Sequence, residues 1–349
     1  MTTNKQKKEI KILGAGIAGL TAGIILGKSG YNVRIFEKRP NVGSYFEKDV
    51  HSIRNYRENY DVLKKYKSFG IILQHAQPIF EEYRFAPSSK NLRIYSKKRP
   101  LFYNFIRGYK DSRSLDMQLL KIAKKFGVKI FFNKKIKEND TFNIIATGTK
   151  EVTGMAFGRH YKLNSKVANN KTIYYFLNKK YAPGGYIYLS PFFDEFSLVI
   201  ATTKILAKSN LQKKFNEFIK NNELVKKLLD QSVFQNEIFG FGFFDVPKTA
   251  TSNNQLRVGE AAGFIDANTG FGVHYAIISG YLAAQSLIKH KNYDTLWKKE
   301  IGKELKEGLQ KRIRREGNSL SAPTNQIEYL IKKYGPNISA ETYKNETKG

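Results

Sequence analysis

The chain contains no cysteine and a single tryptophan, Trp297. Without thiols, structural disulfides, thiolate zinc sites, iron–sulfur clusters and a cysteine nucleophile are all excluded. Long uncharged runs are also scarce. Lys5, Lys7 and Lys8 precede an apolar run from Ile10 to Leu26 that imitates a signal peptide, but Gly14, Gly16, Gly19 and Gly23 lie within it. No other stretch is long and uncharged enough to span a bilayer, which predicts an intracellular, cytoplasmic protein. Negative charge is in short supply as well: 60 Lys and Arg face 30 Asp and Glu, for a formal net charge of +30. Either an anionic partner, nucleic acid or membrane, or a lysine-rich composition without a partner accounts for that excess. The cations are dispersed from Lys5 to Lys311 instead of forming one block, so composition is the preferred reading and no nucleic-acid partner is expected. Peripheral attachment at the inner membrane face is the second reading.

What is present starts at residue 10. Ile10 to Leu13 reads as a short buried strand, Gly14-Ala15-Gly16-Ile17-Ala18-Gly19 as a turn, and Ile17 to Lys28 as a helix. This is the order a dinucleotide site requires. Gly14 permits the tight turn, Gly16 lets backbone approach a pyrophosphate, and Gly19 lets helix and strand pack closely. The helix N-terminus adds free N–H groups and a positive dipole end. A second strand, Val33 to Phe36, ends on Glu37, where a carboxylate can accept both ribose hydroxyls and repel a 2′-phosphate. A glycine-rich βαβ unit without ligand is the plainer alternative.

Two downstream segments extend the pattern. Phe142 to Ala146 is an apolar run entering Ala146-Thr147-Gly148, and Leu256-Arg257-Val258-Gly259-Glu260-Ala261-Ala262-Gly263 reads as a strand and small-residue turn. Thr269-Gly270-Phe271-Gly272 then opens a helix from Val273 to about Ile288. Together with Glu37-Lys38-Arg39-Pro40, Gly43, Arg113-Ser114-Leu115-Asp116 leading into a helix from Met117 to Phe126, and Ala182-Pro183-Gly184-Gly185-Tyr186-Ile187-Tyr188, these motifs resemble the geranylgeranyl reductase family of FAD-dependent oxidoreductases. That family belongs to the wider p-hydroxybenzoate hydroxylase-like flavoproteins.

The resemblance implies an α/β fold: a Rossmann-like FAD-binding domain with an inserted β-rich substrate domain and a C-terminal helical segment. The FAD-binding domain would be discontinuous, over 1–50, 106–150 and 251–290; 51–105 and 151–250 would form the substrate domain, and 291–349 the C-terminal helical, basic segment. FAD contacts would fall on Gly14, Gly16, Ile17, Ala18, Gly19, Glu37, Lys38, Arg39, Arg113, Ala146, Thr147, Gly148, Gly259, Glu260, Gly270, Phe271, Gly272, Val273 and His274. Glu260 stands where the family usually has Asp, and would reach the ribityl chain. The Gly270-to-Gly272 turn and the helix beyond it would face the pyrimidine edge of the flavin. Pro183, Gly184 and Gly185 would lie on the substrate side. No cysteine follows Gly43, where the family often has one, so Tyr186 and Tyr188 become the candidates for positioning substrate or donating a proton. Tyr188 replaces the usual Trp and Ala267 a common Pro.

In the remaining chain, Lys171 to Phe176, Gly185 to Leu189 and Phe196 to Ala201 read as strands, with Pro183-Gly184-Gly185 and Pro191 as turns. Their aromatic density suits an apolar tunnel or, more simply, a sheet core. Leu211 to Leu229 has helical spacing. In 291–349, Trp297, Leu305, Leu309 and Ile313 recur about every four residues, as in a lid or packing helix, or else an amphipathic attachment to anionic lipid. The five histidines show no metal-ligand spacing, and no metal is expected.

The leading functional reading is reduction of carbon–carbon double bonds in an isoprenoid or lipid-like substrate. A flavin-dependent monooxygenase of the same fold is the alternative, and a non-catalytic flavin-fold protein at an anionic surface the third reading. One tryptophan cannot supply the Trp-x-Trp-x-Ile-Pro type of motif of flavin halogenases. With no second glycine fingerprint, the electron donor is open between NAD(P)H, ferredoxin and reduced flavin.

Overall fold

The computed structural model describes residues 8–88, 90–139, 141–149, 151–164, 171–317 and 322–347; Lys5 and Lys7 of the basic N-terminus lie outside them. Among the described residues the strands assemble into three sheets. Apolar residues alternating with polar ones, Ile10 and Ile12 in one strand and Val33 and Ile35 in the next, all buried, build the first. Its order is Thr251–Ser252, Gln255–Arg257, Ile144–Ile145, Glu9–Leu13, Asn32–Phe36, Lys129–Phe131. From Gln255–Arg257 onward all pairings are parallel. The helices Ile17–Lys28, Leu115–Lys125 and Val273–Lys289 cover the face that carries Ile10, Ile12, Val33 and Ile35.

The second sheet has eight strands in the order Ser232–Gly242, Gly154–Leu163, Glu195–Thr202, Tyr186–Phe192, Thr172–Phe176, Glu81–Phe85, Asn91–Tyr95, Asn337–Ser339. The third sheet places Phe102–Ile106 between Val50–Arg54 and Gln77–Ile79. The Ser52 and Ser190 hydroxyls lie 3.3 Å apart, fastening this small sheet to the large one. Together these features give the mixed α/β fold with a Rossmann-like unit, a strand-rich insertion and C-terminal helices.

Four sequence expectations shift. The run Phe142 to Ala146 yields only the strand Ile144–Ile145. Pro191 does not mark a turn. It continues Tyr186–Phe192 opposite Phe196, its carbonyl accepting from Asn104 Nδ2 at 2.7 Å. The helix expected over Leu211 to Leu229 is two, Lys208–Lys220 and Glu223–Leu229, because Asn222 caps the second through Val225 N–H at 3.0 Å. Finally, the apolar stripe of the C-terminal segment breaks. Trp297 and Leu305 are buried, but Ile313 is exposed and Arg312 takes the inward place. A π-helical turn at Lys298–Gly302 separates Trp297 from Leu305, and within the following regular helix, Lys303–Gly317, the 3.6-residue period brings Arg312, seven residues after Leu305, back to the buried face and carries Ile313 past it. The segment also contributes the strand Asn337–Ser339, paired parallel to Asn91–Tyr95.

Candidate functional site

A cleft of about 1020 Å³ runs between the parallel sheet and the large sheet. Its first end is the glycine turn. Gly14 has φ +104°, and a side chain there would meet the Ala146 carbonyl. At Gly19 a Cβ would come within 2.1 Å of the Gly14 carbonyl oxygen, so helix and turn close on each other only without one. Gly16 differs from both, since a Cβ there would meet nothing within 4 Å and would project into open space. Backbone N–H groups at the start of Ile17–Lys28 are thus left accessible to an approaching anion.

Glu37 lies at the same end. Its Oε2 accepts Ala15 N–H at 2.8 Å and its Oε1 accepts Arg39 N–H at 2.9 Å, joining the turn to the end of the second strand. Lys38, Arg39 and the Lys134–Glu138 loop complete the rim there, held by Lys134 N–H donating to Glu37 O at 2.8 Å.

The far end is built from the turns before Val273–Lys289 and from the large sheet. Within that helix the first internal acceptor is Gly272 O, taken by Ala276 N–H, so the preceding N–H groups have no helical partner. The loop before it is fixed by Arg54, whose Nη1 donates to Asp266 Oδ2 at 2.9 Å and Nη2 to Thr269 Oγ1 at 2.5 Å. The neighbouring guanidinium helps hold the buried Asp266 carboxyl below its ordinary range. Tyr186 donates its hydroxyl to Thr269 O. Tyr188 lines the cleft beside it, and desolvation with the Asp49 charge holds its phenol well above the ordinary tyrosine range. Glu260 enters from the Gly259–Ala262 turn, and burial pushes its carboxyl up to about 7, against the pull of Arg107.

Comparison with known proteins follows this geometry. A family profile described as an NAD(P)-binding Rossmann-like domain matches residues 12–62. An uncharacterized protein of Methanocaldococcus jannaschii is 26% identical over 202 residues, 51% of this chain and 50% of that protein. Digeranylgeranylglycerophospholipid reductase 3 of Methanosphaera stadtmanae is 31% identical over 144 residues, 40% of this chain and 35% of its own. The chain thus spans half or less of these two relatives. Digeranylgeranylglycerophospholipid reductase of Thermoplasma volcanium is 26% identical over 323 residues, covering 79% and 77%. Among solved structures, a geranylgeranyl bacteriochlorophyll reductase-like protein from Thermoplasma acidophilum superposes with a TM-score of 0.70 at 20% identity, over 89% of this chain and 87% of that one. The chain has a geranylgeranyl reductase-like fold. The fold is shared more widely: 2-methyl-3-hydroxypyridine-5-carboxylic acid oxygenase gives a TM-score of 0.60 at 16% identity, over 90% and 93%.

In this fold most residues singled out from the sequence converge on the one cleft: Gly14, Gly16, Ile17, Ala18, Glu37, Lys38, Arg39, Ala146, Thr147, Gly148, Gly184, Gly185, Tyr186, Tyr188, Gly259, Glu260, Gly270, Gly272 and Val273 all line it. Gly19 and Pro183 stand behind that lining, Pro183 O accepting from Thr202 Oγ1 at 2.6 Å. Three expected contacts do not reach it. Arg113 turns to Asp111 at 2.7 Å and Glu195 at 3.5 Å, drawn off by two carboxylates. The Phe271 ring stacks on Phe102 beneath the Arg54 guanidinium. The His274 imidazole points to Tyr66, with Nδ1 at 2.6 Å from its hydroxyl, and burial lowers its pKa to about 4.

Arg107, not Arg113, lines the cleft wall. It donates from Nε and Nη2 to both oxygens of buried Asp116, at 2.8 and 3.0 Å. Beside it His51 Nε2 meets Asp49 Oδ2 at 2.8 Å, and both residues line the cleft. Arg312 joins from the C-terminal helix, donating to Ala267 O and Thr153 O with its guanidinium 4.4 Å from the Phe244 ring centroid. None of these has a spacing signal in the sequence. Arg107 and Asp116 are nine residues apart on a strand end and a helix, and only the fold joins them.

Proposed function

We propose that the chain is an FAD-dependent oxidoreductase that reduces carbon–carbon double bonds of an isoprenoid or lipid-like substrate. The observation carrying this reading is the convergence of the glycine turn, Glu37, Glu260 and the Val273–Lys289 helix start on a cleft whose other wall is the apolar large sheet. The cradle suits the ADP half of FAD: Gly16 leaves the space a Cβ would fill, and Glu37 keeps lone pairs for ribose hydroxyls after binding two backbone N–H groups. Gly259, Glu260, Gly270 and Gly272 would hold the ribityl and ring portion. Bound and reduced, the flavin would supply the hydride for the double bond.

The chain's own residues then have distinct tasks. Tyr186 is committed to Thr269 O, so it shapes the loop rather than donating a proton. Tyr188 stays neutral across the physiological range, because phenolate there would be desolvated beside Asp49. It can orient a ligand by hydrogen bonding, and the closing proton would come from its hydroxyl or from an ordered water. Met155, Val199, Ile238 and Phe239 line the same cleft with apolar surface and keep bulk water from the reacting bond.

The test is direct. Purified protein titrated with FAD should acquire a flavin spectrum, and the anaerobically reduced holoprotein given an unsaturated prenyl lipid should add two mass units per double bond consumed. A protein that refuses FAD would overturn the cofactor assignment. The fold likeness to an oxygenase supports flavin monooxygenation as a second reading. Stopped-flow reoxidation separates the two, since a long-lived peroxyflavin absorbance would favour the oxygenase.

A further inference from the structure

Four large apolar side chains on the rim of the cleft face solvent: Tyr45 at 42% exposure, Ile136 at 37%, Val152 at 41% and Phe241 at 45%. Scattered singly they would need no explanation. They are instead joined into one arc. Lys134 N–H donates to Glu37 O, and Asn133 N–H to Arg39 O at 3.1 Å, setting the Ile136 loop against the end of the second strand. The Arg39 guanidinium sits 5.2 Å from the Tyr45 ring centroid. Tyr45 meets the backbone of Phe241. Thr153 N–H donates to Gly242 O at 2.9 Å, which brings Val152 beside Phe241.

The same arc carries Lys38, Arg39, Lys134, Lys135 and Lys137. Its acids are Glu37, whose carboxylate accepts the Ala15 and Arg39 N–H groups, Glu138, which is paired with Arg257, and Glu151. Exposed apolar groups interleaved with unbalanced cations around the mouth of an apolar cleft match the requirements of an anionic lipid interface, where the apolar groups enter the acyl boundary and the ammonium groups meet the headgroups. An acidic protein or a nucleic acid would use the cations but leave Ile136 and Val152 in water. No helix among the described residues is long and apolar enough to cross a membrane, so contact through this rim would be peripheral.

We propose that the rim formed by Tyr45, Ile136, Val152, Phe241 and the surrounding cations docks the cleft mouth onto an anionic bilayer surface. The proposal rests on the lipid-like substrate assigned above and specifies how such a substrate enters: from the bilayer into the cleft, without passing through water.

Flotation of the FAD-loaded protein with vesicles tests it, using phosphatidylcholine alone and phosphatidylcholine with 30 mol% phosphatidylglycerol. Binding should require the anionic lipid and weaken as salt rises. The triple variant Lys134→Gln, Lys135→Gln, Lys137→Gln should bind about tenfold or more weakly, and so should Val152→Ser with Phe241→Ser. A control variant, Lys213→Gln, Lys220→Gln, Lys227→Gln, removes the same charge from helices outside the rim and should bind as the parent does. Equal losses in the control and rim variants would overturn the proposal in favour of undirected attraction. So would full competition by single-stranded DNA against vesicles at equal charge, or absence of vesicle binding. All rim substitutions are at the surface, and an unchanged melting temperature verifies that the variants are folded. The outcome is separable from the reductase reading: a protein that docks but reduces no double bond refutes the activity alone, and one that reduces detergent-dispersed lipid without docking refutes the rim alone.

Discussion

Glu37 and Ala15 are joined by a hydrogen bond from the Ala15 N–H to Glu37 Oε2 at 2.8 Å, so the turn between strand and helix is set by the residue that ends the next strand. The other carboxylate oxygen holds Arg39 N–H at 2.9 Å. Glu37→Ala should therefore do more than weaken nucleotide binding. Two partly buried N–H groups lose their acceptor, and a stability loss of about 1–3 kcal/mol is expected. Urea unfolding of the flavin-free protein checks it. An unchanged midpoint would show that water replaces the carboxylate at both groups and that Glu37 acts on the ligand alone.

Gly16 and Gly19 predict opposite phenotypes from the same kind of change. A Cβ at Gly16 meets nothing, and the backbone there, at φ −75°, is open to any residue. Gly16→Val should fold with near-parent stability yet bind FAD about tenfold or more weakly, because its methyl groups occupy the space the pyrophosphate needs. Gly19→Ala places its Cβ 2.1 Å from Gly14 O, a backbone atom that cannot swing aside. It should lose about 1–3 kcal/mol of stability before any ligand is added. Fluorescence titration with FAD alongside thermal unfolding separates the two, and similar melting losses in both variants would contradict the geometry.

The first half of the site was legible in the sequence because its signals are local. Strand, turn and helix are contiguous, and Ile17 to Lys28 forms the helix expected of it. The second half was legible in position but not in side-chain direction. His274 and Phe271 are at the right turn, yet the His274 ring goes to Tyr66 in the first turn of the helix and the Phe271 ring, in the loop before it, to Phe102. Arg113 was expected at the cofactor because it belongs to a local motif, whereas the Arg107 contact with Asp116 depends on where Phe102–Ile106 meets Leu115–Lys125. The C-terminal stripe misled because a four-residue spacing drifts from the 3.6-residue helical period, so Arg312 and not Ile313 shares the face of Leu305.

The Tyr66–His274 pair lies outside the cleft lining, so its predicted effects are structural. Tyr66→Phe leaves His274 Nδ1 buried without its partner, for a loss of about 1–3 kcal/mol. Because burial lowers the folded-state pKa of His274 from 6.5 to about 4, the unfolded chain takes up the proton first as pH falls. Stability contributed by the neutral imidazole is present above pH 6.5 and declines from there toward pH 4. His274→Gln should flatten that limb of the stability profile. FAD affinity should stay within about threefold of the parent in Tyr66→Phe, and a larger loss would return His274 to the cofactor site.

Glu260 predicts the opposite slope. Desolvation raises its carboxyl from 4.5 to about 7 in the folded chain, so the folded state holds a proton that the unfolded state has released. As pH rises from 4.5 to 7, the flavin-free protein should lose stability relative to Glu260→Gln, by on the order of 3 kcal/mol over the full interval. Above pH 7 the difference should level off, because both states are then ionised. Arg107, the cation that opposes the shift, is engaged by Asp116 through two hydrogen bonds, so its pull on Glu260 is limited. Asp116→Asn should free that pull and move the transition to lower pH, besides destabilising the fold by about 3–5 kcal/mol through the broken buried pair. Unfolding free energies of the parent, Glu260→Gln and Asp116→Asn across pH 4.5–8 would read out all three effects. If the parent and Glu260→Gln profiles run parallel, Glu260 is ionised throughout, and its carboxylate meets the bound cofactor only as an acceptor.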